Sequence, residues 1–351
     1  MGLGAPAGIV AGLMRSAFVL IVLSLVACRP DEPAEDVDAA VVQPDAPDGT
    51  GCTALTPRTQ PVESFIGPTG LEMKMGALID GAQSTLDVQM YLFTVTSIAQ
   101  KIVAAKQRGV VVRMLLDKDE AGNANVTPTF TQAGVNWKWA PSLYTFSHAK
   151  YMVIDKQQAV IMSMNWNLDA MRNERNYGIV DRDIEDVADV QAIFDQDWAL
   201  ANGTSNQPAN LMCTRLVVSP TNSKTRLLEH IKSATTNLDV EVMYVSETTI
   251  RDAIIAAKQR GVAVRVIMNE PTDPAVASFK AAGIVVKTPA TFFLHAKLIV
   301  ADQVAFVGSE NMSFTSLTKN REVGALVFEP TAFAPIQSQF DADWTSSTVI
   351  Q

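Results

Sequence analysis

One short pattern occurs twice in this chain and constrains its fold more than any other feature. The pattern is H-x-K-x4-D, and its copies run from His148 to Asp155 and from His295 to Asp302, 147 positions apart. The chain has 351 residues and three histidines, and two of these lie in the copies. Each copy is followed by a serine and an asparagine two positions apart. These four residues are Ser163, Asn165, Ser309 and Asn311.

The repetition extends well beyond the pattern. In chain order, the repeated blocks are 86–88 with 238–240, 102–113 with 254–265, and 194–198 with 340–344. Because the blocks keep their order and nearly keep their spacing, they indicate a duplicated domain rather than a chance match of short motifs.

These residues resemble the phospholipase D superfamily, in which paired H-K-D motifs build one phosphodiesterase site. The resemblance implies two tandem α/β/α domains, at 52–208 and 209–351, related by a pseudo-two-fold axis. Each domain is expected to hold a mixed, mostly parallel sheet flanked by helices. Because one chain supplies both motifs, we expect a monomer.

Hydrophobic periodicity predicts the same α/β class. Helices are predicted at 69–83 and 96–108 and strands at 85–93 and 110–116, and the second half repeats them as helices 222–234 and 248–260 and strands 237–245 and 262–268. Strands that alternate with helices favour a largely parallel sheet covered by helices.

Each H-x-K-x4-D is expected to lie on a strand. Residues two apart on a strand face the same side, so His148 should face the same way as Lys150, and His295 the same way as Lys297. Asp155 and Asp302 come seven positions after their histidines and should face away or begin the next turn. The family resemblance assigns them a mostly structural role.

The N-terminus resembles a bacterial lipoprotein signal. Residues 16–27 form a short apolar run after Arg15, and the run ends in Leu25-Val26-Ala27-Cys28, which is similar to a lipobox. We therefore expect a signal peptide at 1–27 and a lipidated Cys28, although a secreted protein with a structural cysteine remains an alternative. Residues 28–51 are rich in Asp, Glu, Pro and Ala and are expected to form a disordered acidic tether. These features predict a lipid-anchored protein of a bacterial cell envelope, on the periplasmic or outer-membrane side.

Two further cysteines begin the two repeats at equivalent places, in Cys52-Thr53-Ala54-Leu55 and Cys213-Thr214-Arg215-Leu216. An even pair in an exported protein is usually a disulfide, which here would join the two halves. Two buried thiols are the alternative.

The motif residues suit phosphodiester chemistry. A phosphodiester is anionic, so Lys150 and Lys297 can neutralise it, while the hydroxyls and amides of the four serine and asparagine residues can donate hydrogen bonds to its oxygens. The family resemblance implies that one histidine forms a phosphohistidine and that the other protonates the leaving alcohol and then activates water. Histidine suits both roles because its pKa lies near neutrality. No cofactor and no metal ion are expected.

The two copies differ in ways that suggest different roles. Met162 stands where the second copy has Gly308 before the serine. The resemblance predicts a glutamate behind each histidine; Glu322 fits this position in the second copy, while Asn176 takes it in the first. If each residue orients the histidine of its own half, Glu322 favours an imidazolium at His295, which makes His295 the acid and His148 the nucleophile.

Three functions are compatible with these features. The first is a phospholipase D-type phosphodiesterase that hydrolyses or transfers a phospholipid headgroup. The second is a nuclease of the same superfamily acting on exported or environmental DNA, which the net charge of −9 disfavours. The third is a non-catalytic envelope protein, which the two intact motifs disfavour.

Overall fold

The computed structural model describes residues 55–205 and 207–351. The predicted signal peptide, the lipidated Cys28, the acidic tether and Cys52 lie outside these residues, so the anchor and the bridge to Cys213 stay predictions. Within the described residues, none of the helices is both long enough and apolar enough to span a bilayer.

The first half is built around a seven-stranded sheet. Its strands are β1 (Glu63–Ile66), β2 (Thr85–Met90), β3 (Val111–Leu116), β4 (Asn136–Trp139), β5 (Tyr151–Ile154), β6 (Gln158–Met162) and β8 (Tyr177–Asp181), in the order β1-β8-β6-β5-β2-β3-β4. Its helices are α1 (Leu71–Gly81), α2 (Thr96–Gln107), α3 (Thr127–Gln132), α4 (Leu168–Arg172) and α5 (Ile184–Ala201), with a 3-10 helix at Ala121–Asn125. A two-residue strand, β7 (Glu174–Arg175), stands apart from this sheet.

The second half repeats this plan with eight strands. They are β9 (Leu216–Ser219), β10 (Asn237–Val242), β11 (Ala263–Met268), β12 (Val285–Thr288), β14 (Lys297–Ala301), β15 (Val304–Gly308), β16 (Glu322–Val327) and β17 (Thr348–Val349), in the order β17-β12-β11-β10-β14-β15-β16-β9. The helices are α6 (Ser223–Ser233), α7 (Thr248–Gln259), α8 (Pro274–Ala281), α9 (Phe314–Thr318) and α10 (Pro330–Ser346). The short strand β13 (Phe293–Leu294) lies outside the large sheet.

Both sheets are mixed, and most of their strands run the same way. In the first sheet β2, β3 and β4 are parallel neighbours, and only β5 and β8 oppose the other strands. In the second sheet β10, β11 and β12 are parallel, and β14, β16 and β17 run in the opposite direction. The predicted α/β class is therefore confirmed.

The predicted helices and strands also agree with the structure, although several end a few residues earlier. Helix α2 ends at Gln107 and helix α7 at Gln259, and each is followed by a glycine with positive φ. The φ values are 96° at Gly109 and 93° at Gly261, a backbone region that glycine adopts without the penalty a Cβ imposes. The repeated Lys-Gln-Arg-Gly block is thus a helix stop in both halves.

Three apolar clusters hold the molecule together. One packs the first sheet against α1 and α2, and another packs the second sheet against α6 and α7. The third lies between the sheets and draws on both halves, and it includes Tyr177 and Ile179 of β8 as well as Val323 and Ala325 of β16. Because this shared core fixes one sheet against the other, side chains at the joined strand ends keep a defined geometry.

The two motif aspartates have structural positions, as the family resemblance implied. Asp155 and Asp302 stand at the start of the β5–β6 and β14–β15 turns, with φ values of 55° and 52°. The carboxylate of Asp155 accepts from the backbone N–H groups of residues 83, 84 and 85, at 2.7–3.2 Å. Asp302 accepts in the same way from residues 235, 236 and 237, at 2.8–2.9 Å. Each aspartate therefore fixes the loop that leads into the neighbouring strand, β2 in the first sheet and β10 in the second.

We expect Asp302→Ala to lower the free energy of unfolding by about 1–3 kcal/mol near neutral pH, because several loop N–H groups lose their acceptor. Although burial opposes the charge, these N–H groups hold the pKa of Asp302 at about 2. The stabilisation should therefore be complete above the ordinary pKa of an aspartate and shrink as the pH falls towards 2. Urea unfolding at pH 7 and at pH 3 measures it, with Asp252→Ala as the exposed control. An equal loss at both pH values would contradict this role.

Candidate active site

The two halves exchange backbone hydrogen bonds at the joined ends of their sheets. Strand β13 of the second half pairs in parallel with β7 of the first, which sets Phe293 opposite Glu174. On the other side of the pseudo-two-fold axis, Ser147 forms a bridge with Arg321. Each histidine therefore follows a segment that is bonded to the opposite half.

The motif histidines lie just before the strands rather than on them. Strand β5 begins at Tyr151 and β14 at Lys297, so the histidines occupy extended segments that lead into these strands. The structure corrects the prediction for the histidines, because the residue just before each of them pairs with the opposite half, whereas Lys297 already pairs with β10 of its own sheet. In each segment the lysine Nζ donates to the backbone carbonyl of the histidine, His148 for Lys150 and His295 for Lys297.

In the structure, each histidine contacts the orienting residue of the other half instead of the predicted residue of its own half. His148 Nδ1 lies 2.8 Å from Glu322 Oε2, and His295 Nδ1 lies 3.0 Å from Asn176 Oδ1. Asn176 and Glu322 are thus the residues that orient the histidines, but each serves the histidine of the other half. The expectation that Glu322 faces His295 is wrong. The backbone pairing between the halves places Glu322 beside His148 and Asn176 beside His295.

The hydroxyl groups of the motif serines are engaged by these same partners. Ser163 Oγ donates to Asn176 Oδ1 at 2.8 Å, and Ser309 Oγ donates to Glu322 Oε2 at 2.6 Å. A hydroxyl has only one proton to donate. The predicted role of Ser163 and Ser309 as phosphate donors is therefore replaced by a positioning role behind the histidines.

The motif asparagines are available for a ligand. The Oδ1 atoms of Asn165 and Asn311 are buried and have no hydrogen-bond partner among the described residues. A buried acceptor that lacks a partner is costly in a folded protein and often marks a place where a ligand or water binds. These oxygens accept hydrogen bonds, so they can bind a protonated group of a ligand or a water, whereas a phosphate oxygen would have to meet the Nδ2 groups of Asn165 and Asn311.

Four ionisable side chains interact at the centre of the site. Burial lowers the pKa of His148 to about 4, against the opposing charge of Glu322. Burial, together with Lys297 and Lys150, holds the pKa of His295 well below its ordinary value. Burial likewise places the pKa of Lys150 well below its usual range, and Lys297 adds to the effect. The contacts of each histidine with a residue of the other half show that the two motifs meet at one site.

Glu322 remains ionised in this site. Burial alone would raise its pKa, but His148 and Lys150 hold the pKa below the ordinary value. Since Glu322 accepts and does not donate, His148 Nδ1 bears the hydrogen and Nε2 presents its lone pair. The tautomer of His148 is therefore the one that a nucleophilic imidazole requires.

Tyr91 forms one wall beside the first motif. Its ring centroid lies 4.6 Å from that of His148, and Lys150 Nζ lies 4.8 Å from the ring centre. A ring face beside an ammonium group stabilises the charge that burial disfavours. The remaining histidine, His230, is buried in α6 near the carbonyl of Ile299 at 3.1 Å, away from these residues.

Several supporting residues were missed by sequence reasoning. Asp117 directly follows β3 and accepts from Ser147 N at 2.6 Å, while the equivalent Asn269 follows β11 and accepts from Leu294 N at 2.9 Å. Both therefore fix the residue just before a motif histidine. Their signal in the sequence was a polar residue at the end of the same apolar strand in each repeat.

Two arginines anchor the segments that cross between the halves. Arg175 pairs with Asp343 at 2.6 Å, and Arg321 pairs with Asp197 at 2.8 Å. Each pair joins residues of different halves, and both aspartates belong to the repeated F-D-x-D-W block. That block was recognised as a repeat, but its partners were visible only in the structure.

This geometry defines a phosphodiesterase of the phospholipase D class, in which two related halves supply one histidine and one lysine each to a single site. The family model described as "Cardiolipin synthase, PLD-like domain" matches residues 75–198 and 227–344. The chain belongs to this phospholipase D-like family. Its resemblance to that superfamily, predicted from the paired motifs, is confirmed.

Known relatives and solved structures agree with this assignment. The chain is 28% identical over 162 residues to a mitochondrial cardiolipin hydrolase of Chlamydomonas reinhardtii, covering 44% of the chain and 73% of the hydrolase. It is 23% identical to cardiolipin synthase 2 of Bacillus cereus, where the match covers 73% of the chain and 58% of the synthase. A phosphatidylserine synthase of Haemophilus influenzae shares the fold with a TM-score of 0.65 at 14% identity, over 82% of the chain and 87% of that structure.

Proposed function

We propose that this enzyme hydrolyses or transfers the headgroup of a phospholipid through a phosphohistidine intermediate at His148, without a metal ion. The observation that carries the proposal is the crossed pair of His148 and Glu322 beside two motif lysines. The names of the two cardiolipin-related relatives support a phospholipid as the substrate.

The assignment of His148 as nucleophile rests on the charge that develops during attack. When an imidazole Nε2 bonds to phosphorus while Nδ1 keeps its hydrogen, the ring becomes positively charged. The ionised Glu322 lies 2.8 Å from Nδ1 and stabilises that charge. His295 faces a neutral amide instead, so it parts with a proton more readily. The roles are those expected from the sequence, but the physical reason is the reverse of the one given there.

The first step forms one bond and breaks another. His148 Nε2 attacks phosphorus, the bond from phosphorus to the headgroup oxygen breaks, and His295 gives its Nε2 proton to that oxygen. An anionic phosphate next to Lys150 and Lys297 offsets their charge, and this offset raises the pKa of His295 so that the ring can carry the proton. The amides of Asn165 and Asn311 donate to the non-bridging oxygens.

The second step returns the enzyme to its starting state. His295, now neutral, takes a proton from water or from an acceptor alcohol. The resulting oxygen nucleophile attacks phosphorus and the bond from phosphorus to His148 breaks. Water gives hydrolysis, and an alcohol gives transfer of the phosphatidyl group. The lysines supply positive charge at the phosphate throughout, which is the physical basis for proposing that no metal ion is needed.

Apolar side chains at the entrance favour a lipid over a nucleic acid. Phe146 and Phe293 each lie two residues before a motif histidine and are 37% and 47% exposed. Phe292 beside them packs under the guanidinium of Arg175, 5.0 Å from the ring centre. Exposed aromatic rings beside a phosphate site suit a ligand with apolar parts. A lipid anchor at Cys28 would hold such an entrance near a membrane, and this location is part of the proposal.

The test compares two substrates under one condition. We expect the soluble body, residues 52–351, to release headgroup from phospholipid vesicles in excess chelator, because the lysines provide the positive charge. Single-stranded DNA is incubated in parallel at two salt concentrations. Cleavage of DNA alone, with strong salt dependence, would replace the proposal by a nuclease. Loss of activity in chelator, restored by a divalent ion, would contradict the mechanism.

A further inference from the structure

The segments behind the two histidines contain the same residues in opposite order. The first reads Glu174-Arg175-Asn176 and the second reads Asn320-Arg321-Glu322. In each, the amide donates to the carboxylate: Asn176 Nδ2 lies 3.2 Å from Glu174 Oε2, and Asn320 Nδ2 lies 3.0 Å from Glu322 Oε1. Each segment therefore holds one amide–carboxylate pair, and only the residue that faces the histidine differs.

The inversion places a second carboxylate close to His295 but out of direct contact. Glu174 Oε2 lies 3.7 Å from His295 Nδ1, which is beyond hydrogen-bond distance, whereas Asn176 Oδ1 lies at 3.0 Å. Glu174 is buried, and its oxygen meets the amide of Asn176 rather than the ring. His148, in contrast, bonds its carboxylate directly.

We propose that Glu174 is a positioning residue that acts on His295 through Asn176, and that the inverted order of amide and carboxylate assigns the acid–base role to His295 and the nucleophile role to His148. This inference rests on the proposed phosphohistidine mechanism. It adds Glu174 to the site and explains why a duplicated enzyme has two unequal halves.

The two rings differ in how firmly each holds a proton. A carboxylate bonded directly to Nδ1–H favours the charged ring strongly, which suits a histidine that must carry phosphorus but hinders proton release. An amide fixes the ring without that effect, while a carboxylate one step behind supports the charge more weakly. His295 must gain and lose a proton in each cycle, so the weaker support suits its task.

The charged groups around Glu174 are consistent with this role. Burial raises the pKa of Glu174 above its ordinary value, while Lys297 and Lys150 oppose the rise and Asp169 adds to it. A carboxyl group in this position responds to changes of charge at the two lysines and at His295 more than an exposed one does.

The decisive experiment varies the leaving group. We expect Glu174→Gln to lower the single-turnover rate of phosphohistidine formation by about 10-fold with phosphatidylglycerol, whose alkoxide needs a proton to leave, since general acid catalysis contributes about 10²–10⁴-fold in total. With phosphatidyl-para-nitrophenol, whose phenolate leaves without a proton, the rate of this first step should fall by less than about 2-fold. Glu174→Asp keeps the charge and should restore most of the difference. Equal losses on both substrates, or none on either, would overturn the inference.

A second variant tests the inversion itself and conserves composition and charge. The exchange of Glu174 and Asn176 for one another, combined with the exchange of Asn320 and Glu322, should move the phosphohistidine from His148 to His295. Peptide mapping of the trapped, labelled enzyme locates it, and melting temperatures confirm folding. Label that stays on His148 in the folded exchange variant contradicts the inference alone. A wild-type enzyme that forms no phosphohistidine contradicts the proposed function as well, so the two failures are distinguishable.

Discussion

Replacing His148 with asparagine should abolish the covalent intermediate and lower turnover by about 10⁴-fold or more, because no other neutral imidazole with a carboxylate partner faces the phosphate. The remaining site, with His295, both lysines and both motif asparagines, should still bind the substrate. Rapid quenching with a labelled phosphatidyl-para-nitrophenol and mapping of the acid-labile phosphopeptide measures the intermediate directly.

The matched variant His295→Asn should behave differently with the same substrate. Nitrophenolate leaves without a proton, so the phosphohistidine should form at close to the wild-type rate. It should then accumulate, since the group that activates water is missing. If label appeared on His295 in the His148→Asn enzyme, His295 would be the nucleophile. The contact with Glu322 would then no longer identify His148 as the attacking histidine.

The sequence predicted most of the fold because the fold depends on local patterns that occur twice. The block from Ile102 to Gly109 has helical periodicity and a glycine stop, and its copy from Ile254 to Gly261 has the same features. The paired motifs also singled out both histidines and both lysines, which the structure brings to one site, while the phosphate-binding role of Asn165 and Asn311 stays a prediction. Each of these depends on residues close together in the chain.

The partners of the histidines could not be predicted because they depend on the join between the halves. Asn176 is 28 positions after His148 in the same repeat, and the simplest expectation places them together. The pairing of β7 with β13 and the bridge between Ser147 and Arg321 instead carry each segment across the axis. Nothing in the spacing of one repeat shows how it packs on its copy. The roles of the serine hydroxyls were wrongly predicted for the same reason. Their acceptors, Asn176 and Glu322, are the residues that contact the histidine of the opposite half.

Removing the charge of Glu322 should be the most damaging change outside the motifs. Glu322 is fully buried, and its oxygens accept from His148, Ser309, Ser316 and Asn320. We expect Glu322→Gln to lower turnover by about 10³-fold or more, as the loss of a carboxylate behind a catalytic histidine does in other hydrolases. The amide no longer stabilises the charged ring and can turn its NH₂ towards Nδ1, which favours the wrong tautomer of His148.

The control for this change is Ser316→Ala. Ser316 Oγ donates to Glu322 Oε1 at 2.7 Å, the oxygen that does not face His148, so this variant removes one hydrogen bond and keeps the charge. Its turnover should fall by less than about 100-fold, since one hydrogen bond from a hydroxyl to a charged group contributes about 1.5–3 kcal/mol. Single-turnover formation of the phosphohistidine separates the two variants, because only the loss of charge slows the attack itself. If a folded Glu322→Gln enzyme formed the intermediate at the wild-type rate, Glu322 would stabilise the contact between the halves and would not take part in the chemistry. The assignment of His148 as nucleophile would then rest on the family resemblance alone.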